Sequence, residues 1–324
     1  MRVSLLFLTL SLTPVQALII SGRNGAGAGN TTQASLNGFV ASHSLPAFNF
    51  WGNQIQVSDS SGIYLGRNGN FGWVLTAAHV SPLSVNGNVI VVEGTAYAVR
   101  DVVTIGSADL RLYRIGGNLG DSALPSLPNI LLATTSPLLG TDLLDFGRGR
   151  RLEGTANDAF NSDIAQVPGI NANYYEWGSP SQLNWGTNQT TVLPGWLGPP
   201  VTSASFLVSP YTTDLFFSRF GDEGAGNYLD ATEATFSVGD SGGAAFRLNG
   251  GNWELAGLNL YVDQDPAHAA QPGASAGFGD AAFYANLATY RNDIIAAMVP
   301  EPSASFLLLG FGLMMAAKRR RRAE

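Results

Sequence analysis

"ATFSVGDSGGAAFRL", residues 234–248, sets one serine among three glycines and an aspartate, between two short apolar runs. Two readings fit it. Glycine supplies backbone angles that other residues avoid, so the stretch reads as a tight turn between strands. It also reads as a nucleophile, Ser241, whose backbone neighbours approach a substrate oxygen closely. The stretch alone does not choose between them. Both readings make it a strand–turn–strand unit.

That texture extends outward through a chain of 324 residues, long enough for one large domain or two halves with a sizeable core. Hydrophobic residues make up 45% and charged ones 13%, the balance of a globular or exported protein rather than a disordered one. Strand-like runs follow one another from "NQIQVSDS", "GWVLTAAHV" and "NVIVVEG" to "ADLRLYRIG", with turn residues between. The segment "GDSALPSLPNI" reads as a connector, and a second set runs from "DLLDFGRGR" to "GFGDAAFYANL". Short strands at short intervals predict an all-β fold of antiparallel barrels or sandwiches. The halves are expected at about 51–125 and 140–285. The run "LATYRNDIIAAM" then predicts a helix over 287–298, with Leu287, Tyr290, Ile294 and Ile295 on one stripe. Residues 18–50 form a weakly patterned N-terminal segment. Residues 155–200, rich in Asn, Gly, Pro, Tyr and Trp, are expected to form long loops pinned by aromatics.

Composition excludes several classes of function. With no cysteine, disulfides, thiolate metal sites and a cysteine nucleophile are out. Three histidines (His43, His79 and His268) are too few for a multi-histidine centre, and neither metal nor cofactor is expected. The formal net charge is −7, and five of the 17 basic residues form one cluster, Lys318 to Arg322. The remainder is more acidic still, which argues against nucleic acid as a partner.

Both ends read as addresses. "MRVSLLFLTLSLTPVQA" has one early Arg, an apolar run and small residues at Val15 and Ala17, the pattern of a signal peptide over 1–17 cut by signal peptidase. The other end, "VPEPSASFLLLGFGLMMAAKRRRRAE", carries an apolar stretch over 303–317 before the basic cluster. As a helix it would span only ~22 Å of a ~30 Å bilayer core, with basic side chains snorkelling to make up some of the difference. Pro-Glu-Pro, short apolar helix and basic cluster, in that order over 300–324, resemble the PEP-CTERM sorting signal of Gram-negative bacteria. The resemblance implies an inner-membrane-tethered precursor, processing by an exosortase and release to the cell surface or beyond.

In "WVLTAAHV", His79 follows an apolar strand, a place where a lone histidine is often structural. Yet "LTAAH" resembles the histidine motif of the chymotrypsin-like serine peptidases. "SADLRLYRI" is similar to their aspartate motif and assigns Asp109, with Asp101 in "VRDVV" as competitor. "GDSGG" is similar to their serine motif. The order His79, Asp109, Ser241 is also that group's order. The resemblance implies two antiparallel β-barrels with a terminal helix, over 51–299, and hydrolysis of polypeptides by an exported serine endopeptidase. His79 would be the base, Asp109 its orienting acid, and the N–H groups of Gly239 and Ser241 the oxyanion hole.

Alignment with the family implies further roles. Thr235 would sit at the base of the primary pocket and Val262 would narrow its entrance, favouring a small or medium apolar side chain over Arg or Lys. Asp240 would be held by a positive or donor group, in the family a freed N-terminal amine, which here "LIISG" could supply from Ile19. Cysteines common in the family are replaced by Val80 and Ser237. Other readings stay open: an esterase using the same site, or a surface binding protein on a peptidase fold. "GDSGG" also satisfies the Gly-x-Ser-x-Gly elbow of α/β-hydrolases, with Asp263, Asp265 and His268 downstream, but the βαβ texture of that class is missing.

Overall fold

In chain order the elements are β1 (Ile19–Ile20), α1 (Gln33–Ser42), β2 (Gln54–Val57), β3 (Ser60–Asn68), β4 (Phe71–Thr76), β5 (Val89–Val92), β6 (Thr95–Thr104) and β7 (Arg111–Ile115). There follow β8 (Asp142–Gly147), β9 (Arg150–Leu152), β10 (Tyr174–Pro180), β11 (Asn184–Thr191), β12 (Ser203–Val208) and β13 (Tyr211–Arg219). The last are β14 (Ala234–Thr235), β15 (Ala244–Asn249), β16 (Asn252–Asp263), β17 (Ser275–Gly277), β18 (Ala281–Asn286) and α2 (Leu287–Met298). This computed structural model describes residues 19–20, 30–152, 174–180, 183–220, 232–237, 239–263, 275–277 and 280–299. The expected signal peptide, the 303–317 helix, Asp265 and His268 lie outside the described residues, as does the side chain of Asp263. No helix among the described residues is long and apolar enough to cross a membrane.

The chain is mostly β, in two principal antiparallel sheets. The first has the order β2-β3-β4-β7-β6-β5. Its alternation is plain in β5, where Ile90 and Val92 are buried while Val89 and Val91 face solvent. Those inward residues join Tyr64, Val74, Tyr97 and Tyr113 in one apolar cluster. The two edge strands, β2 and β5, come into contact, so the sheet curls towards closure.

The second sheet has the order β11-β8-β15-β16-β18-β13-β12. β11 also pairs with β13, Thr190 opposite Ser218 and Thr191 opposite Phe217, which joins six strands in a nearly closed barrel with β12 alongside. A larger cluster links the two sheets: Phe48 stacks on Phe146 at 4.9 Å and meets Phe246 edge-on at 5.0 Å. Leu65, Trp73 and Leu75 of the first sheet join these residues in the same buried cluster.

Three expectations need correcting. The weakly patterned 18–50 segment contains α1, capped by Thr32, whose Oγ1 accepts the Ser35 N–H at 3.1 Å. Leu36 and Val40 bury that helix, and Trp185 Nε1 donates to Ser35 Oγ at 3.0 Å. The expected loops of 155–200 contain β10 and β11. Polarity hid β11: its Asn188 is buried, but Nδ2 donates to the Ala234 carbonyl at 2.6 Å. The final helix forms as its stripe predicts, except that Ile295 is 39% exposed while Leu287 and Ile294 are fully buried. Its end is tied down by Asn68 Nδ2, which donates to the Met298 carbonyl at 3.0 Å.

Candidate active site

Each sheet contributes one part of the site. His79 lies in the turn after β4, behind Ala77 and Ala78, which are small enough to be buried against the other half. Asp109 lies just before β7 and is fully buried. Ser241 lies in the turn between β14 and β15, on the second sheet.

The start of β13 clamps the first two. Tyr211 OH donates to the Ala78 carbonyl at 3.1 Å, Thr212 N–H to the Ser107 carbonyl at 2.8 Å, and Asp109 N–H to Thr213 Oγ1 at 2.9 Å. β3 clamps the third from the opposite side. Ser61 N–H donates to the Ser241 carbonyl at 3.1 Å, and Ser61 Oγ to the Gly239 carbonyl at 2.6 Å.

These supports bring three side chains into line. Nδ1 of His79 stands 2.6 Å from Asp109 Oδ2, and Nε2 stands 2.8 Å from Ser241 Oγ. The backbone N–H of His79 donates to Asp109 Oδ1 at 2.8 Å. An ionised carboxylate only accepts, so Nδ1 carries the proton and Nε2 is left to accept from the serine hydroxyl. The imidazole is about one-fifth exposed, at 20%, whereas Asp109 is at 0%. The ring can therefore meet a substrate while its partner stays dry. Asp101, the competing acid, is instead 3.7 Å from Arg114 at the surface.

The serine turn needs its glycines. Gly242 has φ +84°, and a Cβ there would stand 2.2 Å from Thr76 Oγ1 and 2.3 Å from the Ser61 carbonyl. Gly239 has φ +106°. Among the described residues, no acceptor takes the N–H of Gly239 or of Ser241.

The remaining expected residues fall differently. Asp240 is fully buried, but its partners are backbone donors: Gly149 N–H at 3.2 Å and Ser237 N–H at 3.3 Å. Among the described residues no cation reaches it. Burial pushes its carboxyl well above the usual range; the Gly149 donor opposes this, and Asp145, once ionised, adds to it. In the uncut chain Ile19 lies on β1, which pairs in register with β14, Ile19 opposite Thr235.

Thr235 is fully buried, and among the described residues its Oγ1 has no partner. Val262 does not stand at a pocket entrance. At 4% exposed it packs with Ala234, Phe236, Ala282 and Tyr284, because its position on β16 turns it to the interior of the barrel. The residue beside it, Tyr261, faces the site: its hydroxyl donates to Asp109 Oδ2 and its ring stacks on His79 at 5.4 Å. Sequence reading missed Tyr261, Thr213 and Ser61, since a Tyr in an apolar run reads as core and a lone Ser or Thr carries no pattern.

Residues 299–322 match the PEP-CTERM protein-sorting motif. No curated protein is significantly similar to the chain. Among solved structures the chain is similar to Rv3671c from M. tuberculosis H37Rv, crystallised as a serine-to-alanine mutant in an inactive form. The identity is 15%, over 82% of this chain and 93% of that one, with a TM-score of 0.42. At that score the likeness carries no argument, and the functional reading rests on this chain's own residues. The chain thus carries a PEP-CTERM protein-sorting motif at its carboxyl end.

Proposed function

We propose that the protein is an exported serine endopeptidase with His79, Asp109 and Ser241 as its catalytic triad on a chymotrypsin-like double barrel. The observation that carries this is the continuous hydrogen-bonded line from Ser241 Oγ through both nitrogens of His79 to Asp109 Oδ2, at 2.8 and 2.6 Å. Nε2 takes the hydroxyl proton as Ser241 Oγ attacks a peptide carbonyl, and Asp109 stabilises the imidazolium that results. The free N–H groups of Gly239 and Ser241 receive the oxyanion. Nε2 then returns the proton to the leaving amine, and water hydrolyses the acyl-enzyme by the same route.

Export rests on the sorting motif, which implies processing by an exosortase, with signal peptidase acting at the other end. Thr235, where an acid would pair a substrate Arg or Lys, supports a small or medium apolar side chain before the scissile bond. Efficient cleavage after Arg would overturn that preference.

A peptide library and an ester panel, read against Ser241→Ala, test the activity. Peptide turnover that drops ~10⁴-fold or more in the variant is expected. Turnover of esters alone would favour the esterase reading, and no turnover with tight peptide binding would favour the binding protein. The rate should fall as acid protonates the imidazole; a rate flat from about pH 8 to 5 removes His79 as base.

A further inference from the structure

We infer that Tyr261 is a positioning residue of this site: its hydroxyl shares Asp109 Oδ2 with His79, and its ring holds the imidazole plane. The inference rests on the triad reading and deepens it.

Asp109 Oδ2 receives two donors, His79 Nδ1–H and the Tyr261 hydroxyl, while Oδ1 takes the His79 backbone N–H. A carboxylate with two acceptor oxygens and three donors has no freedom to rotate. The Tyr261 ring lies at 28° to the imidazole with centroids 5.4 Å apart, so it closes one face of His79. The phenol is buried at 6% exposure and stays protonated: burial, the charge of Asp109 and its own bond to that carboxylate all push its pKa up. It is therefore a permanent donor and never a competing base.

The groups facing this pair are few. Tyr211, from β13, donates to the Ala78 carbonyl, and Thr213 accepts the Asp109 N–H. Arg111, from β7, is turned to the Val80 carbonyl at 2.9 Å. None of these donates to Oδ2.

The electrostatic consequence has a definite sign. A donated hydroxyl draws charge from the carboxylate, so less of it is available to stabilise imidazolium. Tyr261→Phe keeps the ring and deletes only the donor. The full charge of Oδ2 then falls to His79, and its imidazolium becomes easier to form.

The chain has three histidines, so His79 can be followed by imidazole NMR in the full-length protein, with His79→Gln assigning its signal. In Tyr261→Phe its titration should move up by about half a pH unit or more, and the acid limb of kcat/KM should move with it. In peptide turnover, kcat should fall about tenfold with KM little changed. Asp109, left with two of its three donors, no longer holds the imidazole in line, and this loss outweighs the easier protonation. Tyr261→Leu, which also removes the ring, should lose more of kcat. An unmoved or lowered His79 titration in a folded Tyr261→Phe protein overturns the proposal. Should neither peptides nor esters turn over, and a fluorophosphonate leave Ser241 unlabelled, the peptidase reading fails; the NMR titration still decides the role of Tyr261.

Discussion

Asp145 sits in the middle of β8 with its carboxyl fully buried. Oδ2 accepts the Tyr284 hydroxyl at 3.0 Å, while among the described residues Oδ1 has no partner. Burial pushes this acid up to about 8, against the modest opposing effect of Tyr284. The native chain therefore keeps a proton there at neutral pH that the unfolded chain releases. The sign follows directly: a raised acid gives stability that is complete below the ordinary carboxylate range and is lost as pH climbs through about 8. Within that window the slope is on the order of 1.4 kcal/mol per pH unit for one such group. Asp145→Asn should flatten it, so urea midpoints of variant and wild type should diverge as pH rises from about 5 to 9. Parallel midpoints across that range would mean that the buried acid is charged in the fold. A second single-residue test is Gly242→Ala. With φ +84° and a Cβ 2.2 Å from Thr76 Oγ1, it should cost a few kcal/mol and most of the hydrolysis. Thermal melting beside a turnover assay reads both effects.

Among elements, β13 links the parts of the site that belong to the other sheet. Its first three residues each hold the His79 or Asp109 segment, through the Ala78 carbonyl, the Ser107 carbonyl and the Asp109 N–H. Thr213→Val keeps the shape but leaves a buried N–H unpaired, a loss of about 1–3 kcal/mol. Chemical denaturation should show that loss, kcat should drop severalfold, and Thr213→Ser should restore both; equal damage from Val and Ser would point to lost packing instead. Elements also differed in how far they could be read from sequence. Val89–Val92 and "LTAAH" are local patterns, one an alternation and the other a motif, so β5 and the position of His79 were legible. β11 was not, because its buried Asn188, Thr187 and Thr190 look like loop until their partners at Ala234, Thr232 and Leu138 are known. α1 was hidden for a related reason: with Gly38 and several polar residues its own propensity is weak, and burial of Leu36 and Val40 supplies what propensity does not. Val262 and Tyr261 show the limit at a single step. Neighbours on a strand point to opposite faces, and the family alignment gave the pocket role to the one that faces inward.

For the whole molecule, the described body closes at α2, whose last carbonyl is held by Asn68 on β3. The sorting motif begins immediately after, at residue 299. The tail should therefore be dispensable for chemistry: a chain ending at residue 299 should match the full chain in turnover and melt within a degree or two of it. In its host the precursor should fractionate with membranes, and the mature form should lack Arg319 to Arg322. Mass spectrometry of the mature C-terminus checks this; recovery with the arginines attached would mean a permanent anchor.

His79 and Ser241 are 162 positions apart and belong to different sheets. Distance along the chain is also delay. A chain that leaves the cell amino end first delivers His79 and Asp109 early and Ser241 late. Chains truncated before residue 241 should not react with a fluorophosphonate, while the full body should. In such a sequence of arrivals, a site built from both sheets is completed only after the second sheet has followed the first, so a chain still in transit holds no finished site.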